Sequence, residues 1–300
     1  MANTIGLCMD LVMPRTEVFC KEVFAKLFFM SDDVIMKSPQ WIDAHCHLAS
    51  DKFLNSLPEV IKRSQLVGVT GWIQGGIDPI DWARQQLLKI QYGPRFLTSF
   101  GLHPWWVGTA SQDMIDSALS TLETLLPEAA ALGELGLDFG KTHDLNRGEQ
   151  INAFKRQLQL GKRGSKPLVL HIVKAHSEAL EILKHFAPFP AGGMIHSFTG
   201  SYEIAEEYFK LGFFVSLGGA VTQGGYFALK KAIPLLSLSQ IVVETDSPDQ
   251  VPKVEGIDPK GINEPQFLVA IAKAIAQIKG VTAEAVLSQS TENLERLFGI

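Results

Sequence analysis

Two histidines separated by one residue end a short apolar run of the sequence. His45 and His47 belong to Ile42–Leu48, which reads Ile-Asp-Ala-His-Cys-His-Leu. If this run is a β-strand, its alternating side chains place both imidazoles on one side, about 7 Å apart along the strand. Two imidazoles so placed can converge on one metal ion. The pattern alone is weak, because two solvent-facing or core histidines produce the same spacing.

Further potential ligands occur in four other apolar runs. Glu134 lies inside Ala131–Asp138, where an ionised carboxylate is costly unless it is paired or bound to a cation. A strand-end histidine is often only a satisfied polar residue, and Asp246 before Ser-Pro is also typical of a turn. It is improbable that five apolar runs all carry potential ligands by chance, so we interpret the set as a metal site with six nitrogen and oxygen ligands. The six candidates are His45, His47, Glu134, His171, His196 and Asp246.

The segments that must position these residues alternate between two kinds of pattern. Eight apolar runs are typical of strands: Trp41–His47, Val69–Gly75, Phe96–His103, Ala130–Leu137, Leu168–Ile172, Met194–Phe198, Phe213–Leu217 and Ile241–Thr245. Segments between them carry apolar residues at helical spacing, such as Asp81–Tyr92, Gln112–Leu126, Glu149–Arg163, Ser177–Phe186, Tyr202–Leu211, Tyr226–Ala232 and Gln266–Ile278. This alternation predicts an α/β fold with parallel strands.

The spread of the polar residues distinguishes a closed barrel from an open sheet. An open doubly wound sheet gathers such residues near one switch point, and no glycine-rich nucleotide fingerprint follows the first run. A barrel collects its site from the ends of several strands. We therefore expect a single-domain (β/α)8 TIM barrel over residues 41–300.

The composition restricts the possible partners. The 300 residues are 46% hydrophobic and carry a formal net charge of -5, which disfavours a broad basic surface for nucleic acid. Nucleic acid would then be a substrate, and no stable protein partner is implied. Cys8, Cys20 and Cys46 form no Cys-x-x-Cys pair, so a reducing, cytoplasmic location is expected.

Residues 1–40 are interpreted as an N-terminal extension without catalytic chemistry. Charged residues such as Lys21 and Lys26 interrupt every apolar run there, which argues against a membrane span and a secretory signal. Two explanations stay open: a short amphipathic helix around Glu17–Met30, or an over-long gene start with translation beginning near Met30 or Met36.

Seven motifs in this order resemble the TatD family of metal-dependent deoxyribonucleases, within the amidohydrolase-type hydrolases. The resemblance covers the chain from about Trp41 to its end. The motifs are Asp43–Leu48 (DAHCHL), Gly101–Pro104 (GLHP), Gly133–Phe139 (GELGLDF), Val169–His171 (VLH), His196–Gly200 (HSFTG), Glu244–Pro248 (ETDSP) and Asn263–Pro265 (NEP).

The resemblance implies a dinuclear site that uses two divalent ions, Mg, Zn or Mn. By resemblance, His45 and His47 hold one ion and His171 and His196 bear on a second. Glu134 bridges the two ions. Asp246 completes the first site and contacts the attacking water, whose proton it would accept as general base.

The sequence departs from the family at two potential phosphate contacts. Ile172-Val173-Lys174 stands where members commonly have Ser-Arg after the histidine, and Ile262 stands where many have Arg before Asn-Glu-Pro. The segment between Ser247 and Asn263 is also acidic, with Asp249, Glu255 and Asp258.

Several residues outside the six ligands are candidates for substrate contacts or for surface positions. His103 and Lys174 are candidates to contact the substrate phosphate, against the alternative of polar rim residues. Trp105 and Trp106 are able to stack a base or to pack against a helix. The remaining histidines are expected at the surface: His143, His176 and His185.

The sequence is compatible with three functions. The leading one is a metal-dependent exonuclease acting on single-stranded DNA or DNA ends. The second retains the site but acts as a D-aminoacyl-tRNA deacylase or a small-molecule amidohydrolase. The third, a non-catalytic binding barrel, is disfavoured because the ligand set is complete.

Overall fold

The computed structural model describes residues 40–140 and 146–300, and these form a (β/α)8 barrel. Nine strand segments occur in the described residues: β1 Trp41–Cys46, β2 Val69–Gln74, β3 Phe96–Leu97, β4 Ser99–Phe100, β5 Ala131–Asp138, β6 Leu168–Val173, β7 Gly193–Ile195, β8 Phe213–Leu217 and β9 Ile241–Val243. All of their pairings are parallel, in the orders β1-β2-β3 and β4-β5-β6-β7-β8-β9.

Segments β3 and β4 occupy one strand position that is interrupted at Thr98. Phe96 and Leu97 pair with β2, whereas Ser99 and Phe100 pair with β5. The nine segments therefore fill the eight strand positions expected from the sequence.

Backbone hydrogen bonds between β1 and the residues after β9 bring the two ends of the sheet together. Asp246 N donates to His45 O at 2.9 Å, and His47 N donates to Ser247 O at 2.7 Å. The Asp43 carboxylate adds to this contact by accepting hydrogen bonds from the Thr245 amide and hydroxyl. Closure thus brings His45, His47 and Asp246 to one edge.

Ten α-helices are found in the described part of the chain. They are α1 Leu57–Leu66, α2 Pro79–Tyr92, α3 Pro104–Val107, α4 Gln112–Leu125, α5 Arg147–Gly164, α6 His176–Phe186, α7 Tyr202–Lys210, α8 Phe227–Ala232, α9 Leu268–Lys279 and α10 Ala283–Phe298. The start of α2 shows why a helix begins there: Asp78 accepts hydrogen bonds from Ile80 N and Asp81 N, and Pro79 occupies the first helical position.

The core has two parts. The larger cluster packs the helices against the strands, with Trp72, Trp82 and Phe154 among its fully buried side chains. The smaller cluster joins strand residues such as Ile42 and Val169 to Leu294 of α10. No single described helix has the length and apolar character to cross a membrane, although the bent pair Pro265–Lys279 and Ala283–Phe298 meets both criteria jointly.

Candidate metal centre

The six potential ligands expected from the sequence converge at the carboxyl-terminal side of the barrel. His45 is completely buried, Glu134 is 1% exposed, and five of the six line a common cavity of about 680 Å³. Glu134 lies in the middle of β5, which continues for four residues beyond it to Asp138. A barrel pattern predicts ligands at the ends of strands, but Glu134 lies inside its strand.

Four atoms make up what we call the first donor group: His45 Nε2, His47 Nε2, Glu134 Oε2 and Asp246 Oδ1. The two imidazole nitrogens lie 3.2 Å apart. Glu134 Oε2 lies 3.3 Å from His45 Nε2 and 3.5 Å from His47 Nε2. Asp246 Oδ1 lies 3.7 Å and 3.4 Å from the same two nitrogens.

The other oxygen of Glu134 faces a second donor group, which contains His171 Nδ1, His196 Nε2 and His103 Nε2. Glu134 Oε1 lies 2.7 Å from both His171 Nδ1 and His196 Nε2. It lies 3.2 Å from His103 Nε2. The two oxygens of one buried carboxylate therefore face different histidine pairs, and these pairs adjoin each other where His45 stacks on His196 with ring centroids 4.1 Å apart.

His103 was expected to contact substrate, and the structure brings it into the second donor group. Its Nδ1 accepts a hydrogen bond from Trp105 N at 3.1 Å, which turns Nε2 toward Glu134. His103 follows β4 by three residues, so its direction depends on the path of the chain beyond the strand. Strand alternation alone could not reveal that direction.

The first donor group fits a divalent cation by its spacing, and both groups fit by donor type. Four ligands placed tetrahedrally about 2.1 Å from one ion lie about 3.4 Å from each other. The first donor group spans 3.2 to 3.7 Å. Glu134 Oε2 is buried and has no hydrogen-bond partner among the described residues, as expected of an atom arranged for a cation. Imidazole and carboxylate donors suit zinc and manganese and are compatible with magnesium.

The charges in the site also favour cations. Burial opposes ionisation of Glu134, yet the surrounding histidines hold the pKa of its carboxyl well below the usual range. Burial similarly opposes ionisation of Asp246, but the histidines, His47 first, lower its pKa to about 2. Burial lowers the pKa of His47 less than the carboxylates raise it, so that the pKa reaches about 9. The buried carboxylates thus attract positive charge to this site.

Two carboxylates lie behind the second donor group. Asp138 Oδ2 lies 3.2 Å from His171 Nε2 and accepts a hydrogen bond from Trp105 Nε1 at 2.6 Å. Glu244 Oε1 accepts a hydrogen bond from Ser197 N at 2.5 Å and lies 3.6 Å from His196 Nδ1. A carboxylate at hydrogen-bond distance, as Asp138 is from His171, fixes the imidazole orientation at metal sites, whereas His196 Nδ1 has no hydrogen-bond partner among the described residues.

Neither carboxylate was singled out from the sequence, although a signal was present for Asp138. It follows Glu134 by four residues in the same apolar run, which is the spacing for one face of a strand. Gln250 was also missed. Its amide donates to Asp246 Oδ2 and, at 2.7 Å, to Ser197 Oγ.

Glycines give the ligands the space they need. A Cβ at Gly75 of the chain after β2 would lie 2.4 Å from His47 Cε1 and 2.6 Å from His45 Cε1. At Gly136, where φ is +151°, a Cβ would lie 2.0 Å from His171 O. A side chain at either position would require a histidine to move.

The residues expected at the edge of the site have different positions. Lys174 is exposed, has a φ of +52° and does not belong to the cavity lining, so its role as a phosphate contact stays a prediction. Trp105 is 48% exposed and lines the cavity, whereas Trp106 packs against the core. Of the three acidic residues in the segment before Asn263, only Asp249 lines the cavity.

The expected surface histidines also differ from one another. His185 is exposed, in agreement with the sequence. His176 is partly buried, and its Nδ1 lies 2.9 Å from the Tyr208 hydroxyl, because the first turn of α6 packs against α7. His143 lies outside the described residues.

Comparison with known proteins decides the family. The family model described as "TatD related DNase" matches residues 42–299. This chain belongs to the TatD family. The TatD protein of Pantoea vagans, described as a 3'-5' ssDNA/RNA exonuclease, is 31% identical over 261 residues, which are 85% of this chain and 98% of that protein. YabD of Bacillus subtilis, described as a metal-dependent hydrolase, is 30% identical over 261 residues, covering 86% of this chain and 98% of YabD.

A solved structure agrees with this assignment. The TatD homologue YjjV of Escherichia coli K12 superposes with a TM-score of 0.77 at 26% identity, covering 87% of this chain and 98% of YjjV. The TatD resemblance and the (β/α)8 barrel expected from the sequence are thus confirmed. Membership of the TatD family makes this chain a hydrolase that acts on ester bonds.

Proposed function

We propose that this TatD family protein is a metal-dependent nuclease that hydrolyses phosphodiester bonds at the ends of single-stranded DNA. The observation that carries the proposal is the position of Glu134, whose Oε2 lies near His45 and His47 and whose Oε1 lies near His171 and His196. A nucleic-acid substrate is supported by the Pantoea vagans relative, which is described as an exonuclease of single-stranded DNA and RNA. The cytoplasm is the proposed location.

Two divalent ions, zinc, manganese or magnesium, are the proposed cofactors. The first donor group of His45, His47, Asp246 and Glu134 Oε2 would hold one ion. The second group would hold the other through Glu134 Oε1, His171 and His196. When bound, such a pair lowers the pKa of a water molecule, orients a phosphoryl group and stabilises charge on the leaving oxygen.

Asp246 is the proposed general base. Gln250 donates a hydrogen bond to its Oδ2, which leaves Oδ1 directed toward His45 and His47. The low pKa of this carboxyl keeps it ionised at neutral pH, as a proton acceptor requires. Asp246 would thus take the proton of the attacking water.

His103 has a proposed role at the second donor group. Burial lowers the pKa of His103 to about 4, so the ring is neutral at physiological pH. A neutral imidazole is able to bind a cation or to donate a hydrogen bond from Nε2 to a substrate oxygen. Because Nδ1 accepts the hydrogen bond from Trp105 N, the neutral ring carries its proton on Nε2, which favours the second role.

The proposal is tested by comparing two substrates. The purified protein is incubated with end-labelled single-stranded DNA and, separately, with mischarged tRNA, in EDTA and after addition of each metal. We expect metal-dependent release of mononucleotides and no release of amino acid. Release of amino acid alone would favour the deacylase and overturn the nuclease assignment. Failure to cleave either substrate with every metal would also overturn it.

A further inference from the structure

Arg84 of α2 is the single lysine or arginine that lines the catalytic cavity in the described part of the chain. Lys174 and Lys260, which follow β6 and β9 in the chain, are exposed and do not line it. A cavity that receives an oligonucleotide must offer positive charge to phosphates other than the one being cleaved. Among Lys and Arg side chains of the described lining, that charge comes from Arg84.

The Arg84 guanidinium has capacity for a further ligand. Its Nη1 lies 2.8 Å from Asp51 Oδ1, and its side chain is 45% exposed. No other ion pair of Arg84 occurs among the described residues. A guanidinium carries five N–H donors in a rigid fork that matches two phosphate oxygens. Asp51 therefore holds one nitrogen while others can bind a phosphate.

Carboxylates outside the donor groups also line the cavity. Asp51, Asp78, Asp81 and Asp249 all line the cavity outside the donor groups. Asp78 also caps α2 by accepting hydrogen bonds from Ile80 N and Asp81 N, so the first amides of α2 already have a partner. Asp249 is paired with Lys52, but Asp78 and Asp81 have no Lys or Arg partner among the described residues, so repulsion between like charges disfavours further phosphates beside them.

We propose that Arg84 is a specificity-determining residue that binds the phosphate adjacent to the one being cleaved. The inference rests on the proposed nuclease function and adds the substrate feature that the cavity recognises. Because Arg84 is the single Lys or Arg side chain of the described lining, the cavity favours a substrate with two phosphates, one at the metal centre and one at Arg84. A third phosphate would add little to substrate binding.

The test uses dinucleotides that differ in one phosphate. The substrates are an unmodified dinucleotide with one phosphate and the same dinucleotide phosphorylated at its 5' or its 3' end. Arg84→Gln is expected to raise KM for the preferred two-phosphate substrate about tenfold, the low end for a charge-assisted hydrogen bond at a half-exposed site. KM for the one-phosphate substrate and kcat for both should change little. Arg84→Lys should raise KM for the two-phosphate substrate less than Arg84→Gln does, because lysine keeps the positive charge.

Arg163→Gln is the matched control. Arg163 is also exposed, and its Nη2 lies 2.7 Å from Glu123 Oε1, but it does not line the catalytic cavity. This substitution removes the same charge and should leave both KM values unchanged. An equal effect of Arg84→Gln on all three dinucleotides, or no effect, would overturn the inference.

A binding measurement separates this inference from the nuclease proposal. Dissociation constants are measured for dinucleotide analogues in which a methylene replaces the bridging oxygen of the linkage. If the wild-type protein cleaves neither end-labelled single-stranded DNA nor any dinucleotide, but Arg84→Gln selectively weakens binding of the two-phosphate analogue, the nuclease proposal fails and the phosphate site stands. If cleavage is normal but no selective weakening occurs, the phosphate site fails and the nuclease proposal stands.

Discussion

Asp138 Oδ2 and His171 Nε2 lie 3.2 Å apart, while the opposite nitrogen of the same ring, Nδ1, lies 2.7 Å from Glu134 Oε1. The imidazole is thus held between two carboxylates. Gly140 N and Trp105 Nε1 also donate to Asp138, so the carboxylate that orients His171 is itself fixed. This arrangement defines how the second donor group is kept in place.

Asp138→Asn is expected to weaken the second metal site without unfolding the barrel. The amide retains the shape of the side chain but loses the charge that orients His171, and loss of such a partner typically costs about 10- to 100-fold in metal affinity or activity. Metal titration followed by calorimetry measures the effect. Asp116→Asn is the control, since Asp116 is paired with Arg156 and lies outside the cavity. Unchanged affinity in Asp138→Asn would show that His171 needs no orienting carboxylate.

Gly75→Ala should disable the first donor group by steric displacement. The added Cβ would overlap the Cε1 atoms of His47 and His45, and misplacement of catalytic groups by about 1 Å can cost about 100-fold in rate. Activity and bound metal are measured together with thermal unfolding. Gly148→Ala serves as control, because a Cβ there meets no atom within 4 Å. Normal activity in Gly75→Ala would mean that the histidine rings can shift without consequence.

The barrel and the convergence of the six potential ligands could be predicted from the sequence because both follow from simple periodicity. Apolar runs of strand length contain or precede the histidines and carboxylates, and closure of a parallel barrel brings the carboxyl-terminal parts of these runs together. The interruption of the third strand at Thr98 could not be predicted, since Phe96–His103 forms one continuous pattern. Helices α1 and α10 were not named, and the structure places them at Leu57–Leu66 and Ala283–Phe298.

The remaining residues of the site escaped prediction for a different reason. The position of His103 is fixed by a hydrogen bond from Trp105 N in the loop after β4, and Lys174 has a left-handed backbone. Neither conformation follows from strand alternation. Arg84 reaches the cavity from a helix, where the sequence pattern indicates only an exposed charge. Loop geometry and helix placement therefore decide the substrate side of the site.

Cleavage should depend only weakly on ionic strength. Each phosphate contact on a single strand contributes about -0.7 to the slope of log affinity against log salt concentration, so one contact at Arg84 and one at the metals give a slope no steeper than about -1.5. The measurement is kcat/KM on an oligonucleotide over a salt series at constant metal concentration. Arg84→Gln should reduce the slope by about 0.7 in magnitude. A much steeper slope would indicate an extended phosphate-binding surface.

Removal of residues 1–37 should leave metal content and specific activity unchanged. All of the proposed ligands and all of the described cavity-lining residues belong to residues 41–300, and β1 begins at Trp41. The expected role of residues 1–40, an extension without catalytic chemistry, stays a prediction, since residues 1–39 lie outside the described part of the chain. Metal analysis and oligonucleotide digestion of the truncated protein test it. Loss of either property would assign a function to the extension.

The final prediction separates metal binding from proton transfer, and it compares Asp246→Asn with Glu134→Ala. Asp246 contributes one oxygen to the first donor group, in which His45, His47 and Glu134 remain after the substitution. An asparagine oxygen still binds cations weakly but cannot accept the proton of a water molecule. Metal content should therefore stay near normal while kcat falls about 10²- to 10⁴-fold, the usual cost of losing a positioned general base.

Glu134→Ala should behave differently, because its two oxygens face both donor groups and its charge compensates both cations. Metal content and turnover are expected to fall together. The experiment measures metal stoichiometry and oligonucleotide hydrolysis on the same preparations of both variants and of the wild-type protein. Near wild-type turnover in Asp246→Asn would show that another residue is the base, and His196, at the adjacent donor group, would be the next to substitute. Parallel loss of metal and activity in Asp246→Asn would instead reduce Asp246 to a ligand.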